Sequence, residues 1–98
     1  NYNFEVADLT VLIVGLGRIG SRVAKALDFF GAKVYGVDPY IDKSIWQSLP
    51  VTKISYNEGL TRCNLVTFHC PLTDETKNYF SVDSLEILSN QIFLLNVA

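Results

Sequence analysis

The stretch VLIVGLGRIG, residues 11–20, decides how this chain is read. Four apolar residues run into three glycines spaced G-x-G-x-x-G, and a helical pattern follows. The β-branched, apolar run at residues 10–14 is what a parallel strand covered on both faces requires. Beyond the glycines the period changes. Ile19, Val23, Ala26, Leu27 and Phe30 recur every three to four residues, which predicts one apolar helical face, and Gly31 supplies a left-handed stop.

Each glycine has a mechanical reason to be there. Gly15 permits a tight turn out of the strand, Gly17 has no side chain to block a pyrophosphate, and Gly20 lets the helix pack closely on the strand. The free amides of the helix start, from Arg18 through Ile19 to Gly20, then face the phosphates with the positive end of the helix dipole. A glycine triplet alone is weak evidence; the deciding context is Asp38, which ends the next strand 18 residues after Gly20. Its carboxylate can accept hydrogen bonds from both ribose hydroxyls of an adenosine, and its charge repels a 2′-phosphate, so NAD is expected rather than NADP. Lys43 is read as solvated surface and not as a phosphate ligand.

Composition narrows the class. With 98 residues, 49% hydrophobic and 18% charged, the chain is globular and has room for one domain over residues 1–98. A net charge of −2, with eight basic residues scattered among ten acids, gives no footprint for nucleic acid, and no run is long enough to cross a membrane. Cys63 and Cys70 are read as two buried thiols, not a disulfide or a metal set, and no metal is expected. The opening NYNFEVADLT lacks the basic and apolar segments of a secretion signal, so the cytoplasm is the expected compartment. The chain contains no Met and opens on Asn1, which reads as a piece of something longer.

The remaining elements alternate. Strands are expected at residues 33–37, 51–54, 65–69 and 92–97, and helices at 43–49, 57–62 and 82–88, with a polar loop PLTDETKN from Pro71. Strands alternating with helices imply a Rossmann-type, doubly wound parallel sheet of about five strands, truncated before the last strands of such a domain.

Read in order, VGLGRIG, VDPY and VTFHCPLTDETKNYF resemble the D-isomer-specific 2-hydroxyacid dehydrogenases over nearly the whole chain. The segment H-C-P-L-T-D-E-T is more specific than the glycines. The resemblance implies that His69, Cys70 and the ring of Pro71 lie beside the adenosine, with Pro39 following the acid and Thr76 close to the nicotinamide. His69 reads equally well as a loop residue held for structural reasons, and it is not the family's acid–base histidine. The closing LLNVA is similar to the family's strand that leads to its catalytic Arg, which puts Asn96, Val97 and Ala98 at the cofactor. By the same resemblance the catalytic Arg, Glu and His lie beyond Ala98, so no catalytic residue is expected within the chain, and turnover is not expected of it alone. The parent is expected to be an oxidoreductase that passes hydride between NAD and a D-2-hydroxy or 2-oxo acid, acting as a homodimer. A noncatalytic NAD-binding interaction module, similar to the corepressors related to these enzymes, is the alternative.

Overall fold

The computed structural model describes residues 6–69 and 92–95. A short 3-10 turn at Val6–Asp8 leads into β1 (Thr10–Val14), followed by α1 (Arg18–Phe29), β2 (Lys33–Val37), α2 (Lys43–Ser48), β3 (Thr52–Lys53), α3 (Tyr56–Arg62), β4 (Leu65–Phe68) and β5 (Ile92–Leu95). The five strands form one parallel sheet in the order β3-β2-β1-β4-β5. This is the doubly wound arrangement expected from the alternation. The order reverses between β1 and β4, and such a sheet offers its ligand crevice at the carboxyl ends of the strands that flank that reversal.

β1 occupies the centre because it is apolar on both faces. Leu12 and Val14 join Tyr35, Val37, Tyr56, Leu60, Val66 and Phe68 on the α3 face, whereas Val11, Ile13 and Leu16 join Val34 and Ala24 on the α1 face. Both layers exclude water from Val11, Leu12, Ile13 and Val14 completely. Asn64 clips the start of β1 to β4: the Thr10 amide donates to Asn64 Oδ1 at 3.0 Å, and the Asn64 amide donates to the Thr10 carbonyl at 2.9 Å.

Helix α1 ends where Gly31 predicts. The Gly31 amide donates to the Asp28 carbonyl and the Ala32 amide to the Leu27 carbonyl, both at 3.0 Å, the paired bonds of a Schellman stop, with Gly31 at φ 94°. The buried face of α1 differs from the expected one. Gly20 and Ala24 are buried, with Val23 and Leu27 packed partly on the core, while Ile19 is 48% and Phe30 62% exposed and Ala26 is also exposed. At about 100° per residue this is a rotation of roughly a quarter-turn. The small side chains at 20 and 24 allow the helix backbone nearest the sheet, and that close approach outweighs burial of the larger apolar stripe. Phe29 and Phe30 instead stack edge to face on the surface, with centroids 5.3 Å apart.

Boundaries of four elements move by a residue, α2 ending at Ser48 and not at 49. α3 begins at Tyr56 and not at Asn57, because Ser55 caps it by accepting the Glu58 amide at 3.2 Å. Strand β4 stops at Phe68, and β3 shortens to Thr52–Lys53. The expected helix at 82–88 and the end of the last strand, residues 96–97, lie outside the described residues. Cys63 is buried as expected, 1% exposed, and burial pushes its thiol up to about 11. Cys70 lies outside the described residues.

Two outcomes follow from these contacts. A methyl on Gly31 would need a left-handed φ and would lie 3.2 Å from Ala7 Cβ, so Gly31→Ala should cost about 1–2 kcal/mol in urea unfolding. In a Cys70→Ser background, Cys63 should resist thiol reagents at pH 8 until urea unfolds the chain. Because its folded pKa is raised, the contribution of Cys63 to stability is complete below its unfolded pKa and is lost as pH rises toward about 11.

Candidate functional site

The sequence and packing at the end of β1 build a narrow cradle. Gly15 leaves the strand at φ 100°, and its amide donates to the Val37 carbonyl at 2.8 Å. Gly17 then serves as the N-cap of α1 without any side-chain cap, so the amides of the first turn receive no protein side chain there. Gly20 faces back onto the turn. A Cβ at this position would collide with the Gly15 carbonyl oxygen and approach His69 Cβ to 3.5 Å. At Gly17 the opposite holds: a Cβ there would meet nothing within 4 Å. The same motif therefore contains one glycine required by packing and one that opens onto free space, which is where a pyrophosphate would fit. Arg18 and Ile19 stand exposed beside that opening.

Asp38 couples this turn to the end of β2. Its Oδ2 accepts the Leu16 amide at 2.7 Å and its Oδ1 accepts the Tyr40 amide at 2.8 Å. Ser21 Oγ holds the other main-chain group of the same residue, donating to the Leu16 carbonyl at 2.9 Å. The sequence suggests Asp38 as a ribose acceptor; the structure adds that it braces the glycine turn across 22 residues. Each oxygen accepts one of these bonds, and a carboxylate can accept about four in all.

On its other side Asp38 borders a cleft of about 350 Å³ at the carboxyl ends of β2 and β3. Val37, Ile41 and Ile54 supply apolar walls, and Trp46 and Tyr56 supply aromatic ones. Pro39, Lys53 and Ser55 complete it. Its size suits a small-molecule fragment. Pro39 is the one residue besides Asp38 that the sequence placed here. Ile41, Trp46, Lys53, Ile54, Ser55 and Tyr56 were missed, and the S-Y-N-E run at 55–58, a capping-box pattern, carried the signal that the strand ends and α3 starts at this spot.

His69 sits at the other end of the cradle, where β4 meets β1. Its amide donates to the Val14 carbonyl at 2.7 Å, and its Nε2 shares a 2.8 Å hydrogen bond with Thr67 Oγ1. Desolvation holds its pKa below the ordinary histidine value. It lies beside the glycine turn and is not one of the walls of the Asp38 cleft. Cys70, Pro71, Thr76, Asn96, Val97 and Ala98 lie outside the described residues.

The family model described as "D-isomer specific 2-hydroxyacid dehydrogenase, NAD binding domain" matches residues 1–98. The chain belongs to this family. Among curated relatives of this D-2-hydroxyacid dehydrogenase domain, the D-3-phosphoglycerate dehydrogenase of Methanocaldococcus jannaschii is 33% identical over 95 residues, 96% of this chain and 18% of that protein. A D-2-hydroxyacid dehydrogenase (NAD(+)) of Clostridioides difficile is 32% identical over 94% of this chain and 27% of its own length. A solved D-lactate dehydrogenase from a Sporolactobacillus species superposes with a TM-score of 0.80 at 33% identity, over 94% of this chain and 27% of that one. An NAD-complexed D-isomer-specific 2-hydroxyacid dehydrogenase from Lactobacillus delbrueckii ssp. bulgaricus gives 0.79 at 26% identity, over 96% and 29%. The chain thus spans less than a third of each of these proteins. The cofactor of this D-2-hydroxyacid dehydrogenase domain is NAD, as the fingerprint predicted. No helix among the described residues is long and apolar enough to cross a membrane.

The two glycines give opposite predictions. Gly17→Ala should fold with a stability loss of less than about 1 kcal/mol, the usual range for this change at an N-cap, yet weaken NAD binding at least about tenfold. Gly20→Ala should unfold or force the turn open, because the obstructing atom is backbone. Circular dichroism and calorimetric titration read both. Asp38→Ala should cost about 1.5–3 kcal/mol of folding stability, the range for a hydrogen bond to a charged group. For His69, NMR should show the imidazole neutral at pH 7. Its folded pKa is depressed, so the stability it contributes is present above the unfolded pKa and lost as pH falls through the folded one.

Proposed function

We propose that the site holds NAD by its adenosine diphosphate half, and that the domain serves an oxidoreductase acting on a D-2-hydroxy acid or the corresponding 2-oxo acid. The observation that carries the reading is the sequence of three features along one edge of the sheet. The open cradle over Gly17 comes first, Asp38 second, and the cleft walled by Ile41, Ile54 and Tyr56 third. A pyrophosphate, a ribose and a flat base follow one another in the same order.

The residues act by position. The amides of Arg18, Ile19 and Gly20 would donate to phosphate oxygens, aided by the positive end of α1. Asp38 would accept the ribose hydroxyls while its second contact keeps Leu16 in place. No cation lies within salt-bridge distance of Asp38 among the described residues, so its charge stays available to repel a 2′-phosphate. Apolar walls around the base exclude water. Bound there, NAD supplies hydride acceptance and return at its nicotinamide ring. His69, Cys70, Pro71, Thr76, Asn96, Val97 and Ala98 are proposed to border the cofactor on the side of β4 and β5.

The relatives act on phosphoglycerate, lactate and other 2-hydroxy acids by name, and this domain covers only part of them. The groups that hold the substrate carboxylate and exchange its proton are proposed to lie elsewhere in the parent protein, which is also proposed to be a homodimer. The test is calorimetric titration of the chain with NAD, ADP-ribose and NADP. Binding of the first two with NADP at least about tenfold weaker is expected; equal affinity for NADP, or no binding of ADP-ribose, contradicts the reading.

A further inference from the structure

Thr67 and His69 stand apart from the cleft beside Asp38. Val66 and Phe68 pack on the α3 side of the sheet and Leu65 on the α1 side, so strand alternation turns Thr67 toward α1. Thr67 is 3% exposed, and its Oγ1 lies 2.8 Å from His69 Nε2, which keeps the part-buried imidazole on that same side of the sheet. The His69 amide donates to the Val14 carbonyl, and its Cβ lies 3.5 Å from where a Gly20 Cβ would sit. The ring is thereby fixed at the reversal of strand order between β1 and β4, against the uncapped first turn of α1. Charged groups around it are few among the described residues. The sequences of β1, β4 and β5 contain no ionisable residue. Helix α1 carries Arg18 in its first turn and Arg22, Lys25 and Asp28 beyond it, all exposed, and on the opposite side of β1 Asp38 accepts the Leu16 and Tyr40 amides.

We propose that Thr67 and His69 form a proton-accepting couple: the diphosphate of the cofactor binds with uptake of a proton at His69, and Thr67 is the positioning residue that holds the ring in both charge states. This rests on the reading of the Gly17 opening as the diphosphate cradle. The neutral ring is the resting form because desolvation holds its pKa below the ordinary histidine value. A diphosphate at the same helix start adds negative charge, which favours the imidazolium. The proton comes from solvent, and no other bond forms or breaks. A threonine hydroxyl suits the change, since it donates to an unprotonated Nε2 and turns to accept from Nε2–H. Valine, of the same shape, can do neither and would leave an imidazolium N–H unpaired in a part-buried position. Because the pKa of His69 is then higher with ligand than without, affinity rises as pH falls toward the pKa of the free protein.

The chain contains a single histidine, so its imidazole signals report this couple directly. ADP-ribose is the probe, because its diphosphate keeps its charge between pH 6 and pH 8. Calorimetry in two buffers of different ionisation heat counts the protons taken up, and NMR follows the ring. ADP-ribose should bind about threefold more tightly at pH 6 than at pH 8, with net proton uptake at pH 6. Saturation should move the His69 signals toward the imidazolium position at that pH. His69→Asn should abolish the uptake. Thr67→Val should reduce the pH effect to less than about 1.5-fold, and Thr67→Ser, which keeps the hydroxyl, should restore it. A threonine that served packing alone would leave the pH profile unchanged in both variants.

Equal affinity at both pH values, with ADP-ribose bound and the ring still neutral at saturation, would overturn the couple while leaving the cradle in place. A pH effect of full size in His69→Asn would overturn it too, since another group would then take the proton. Full size in Thr67→Val would remove Thr67 from the couple. Should Thr67→Val fail to fold, the wild-type proton count and His69→Asn carry the test. No binding of ADP-ribose at either pH, by heat or by NMR, would remove the cradle reading itself and the couple with it.

Discussion

The contact between Gly20 and the Gly15 carbonyl fixes everything built around it. No side chain fits between them, so α1 starts against the end of β1, and its first-turn amides receive no side-chain cap. From that approach follow the burial of Gly20 and Ala24, the quarter-turn rotation of the helix, and the exposure of Ile19 and Phe30. The helix gives up burial of a larger apolar stripe to keep its backbone close. Close backbone packing, and not maximal hydrophobic burial, sets the orientation of this helix.

Asp38 extends the same constraint laterally. A carboxylate at the end of β2 that accepts the Leu16 and Tyr40 amides ties the glycine turn to the loop after β2, because moving either oxygen disturbs the other contact. The turn is thus held before a ligand arrives. Preorganisation of this kind lowers the ordering cost of binding, and here it is supplied by main-chain donors and one acid. The Ser21 hydroxyl closes the arrangement by fixing the carbonyl of the same residue whose amide Asp38 holds.

The parts of this design differ in how plainly the residues announce them. Strand β1 was legible because an uninterrupted apolar, mostly β-branched run has few other uses, and Gly31 was legible because a Schellman stop needs a left-handed residue. The cradle could be read because Gly15, Gly17 and Gly20 act through the absence of a side chain, at fixed spacing. The cleft could not. Trp46, Lys53 and Tyr56 come from three different elements, and only the parallel pairing of β2 with β3, Tyr35 against Thr52 and Gly36 against Lys53, brings them together. The buried face of α1 was misjudged because periodicity counts apolar residues and gives no weight to Gly20, whose value is that it has no side chain.

One continuous edge, running from the glycine turn past Asp38 to the Trp46 cleft, is proposed to receive the adenosine half of NAD. The most direct measurement is a backbone and side-chain NMR titration of the chain with ADP-ribose. Concerted shifts are expected at the amides of Leu16 to Gly20, at Asp38 and Tyr40, and at the Trp46 indole, with a single affinity. Shifts confined to the glycine turn, with Asp38 and Trp46 unmoved at saturation, would contradict it.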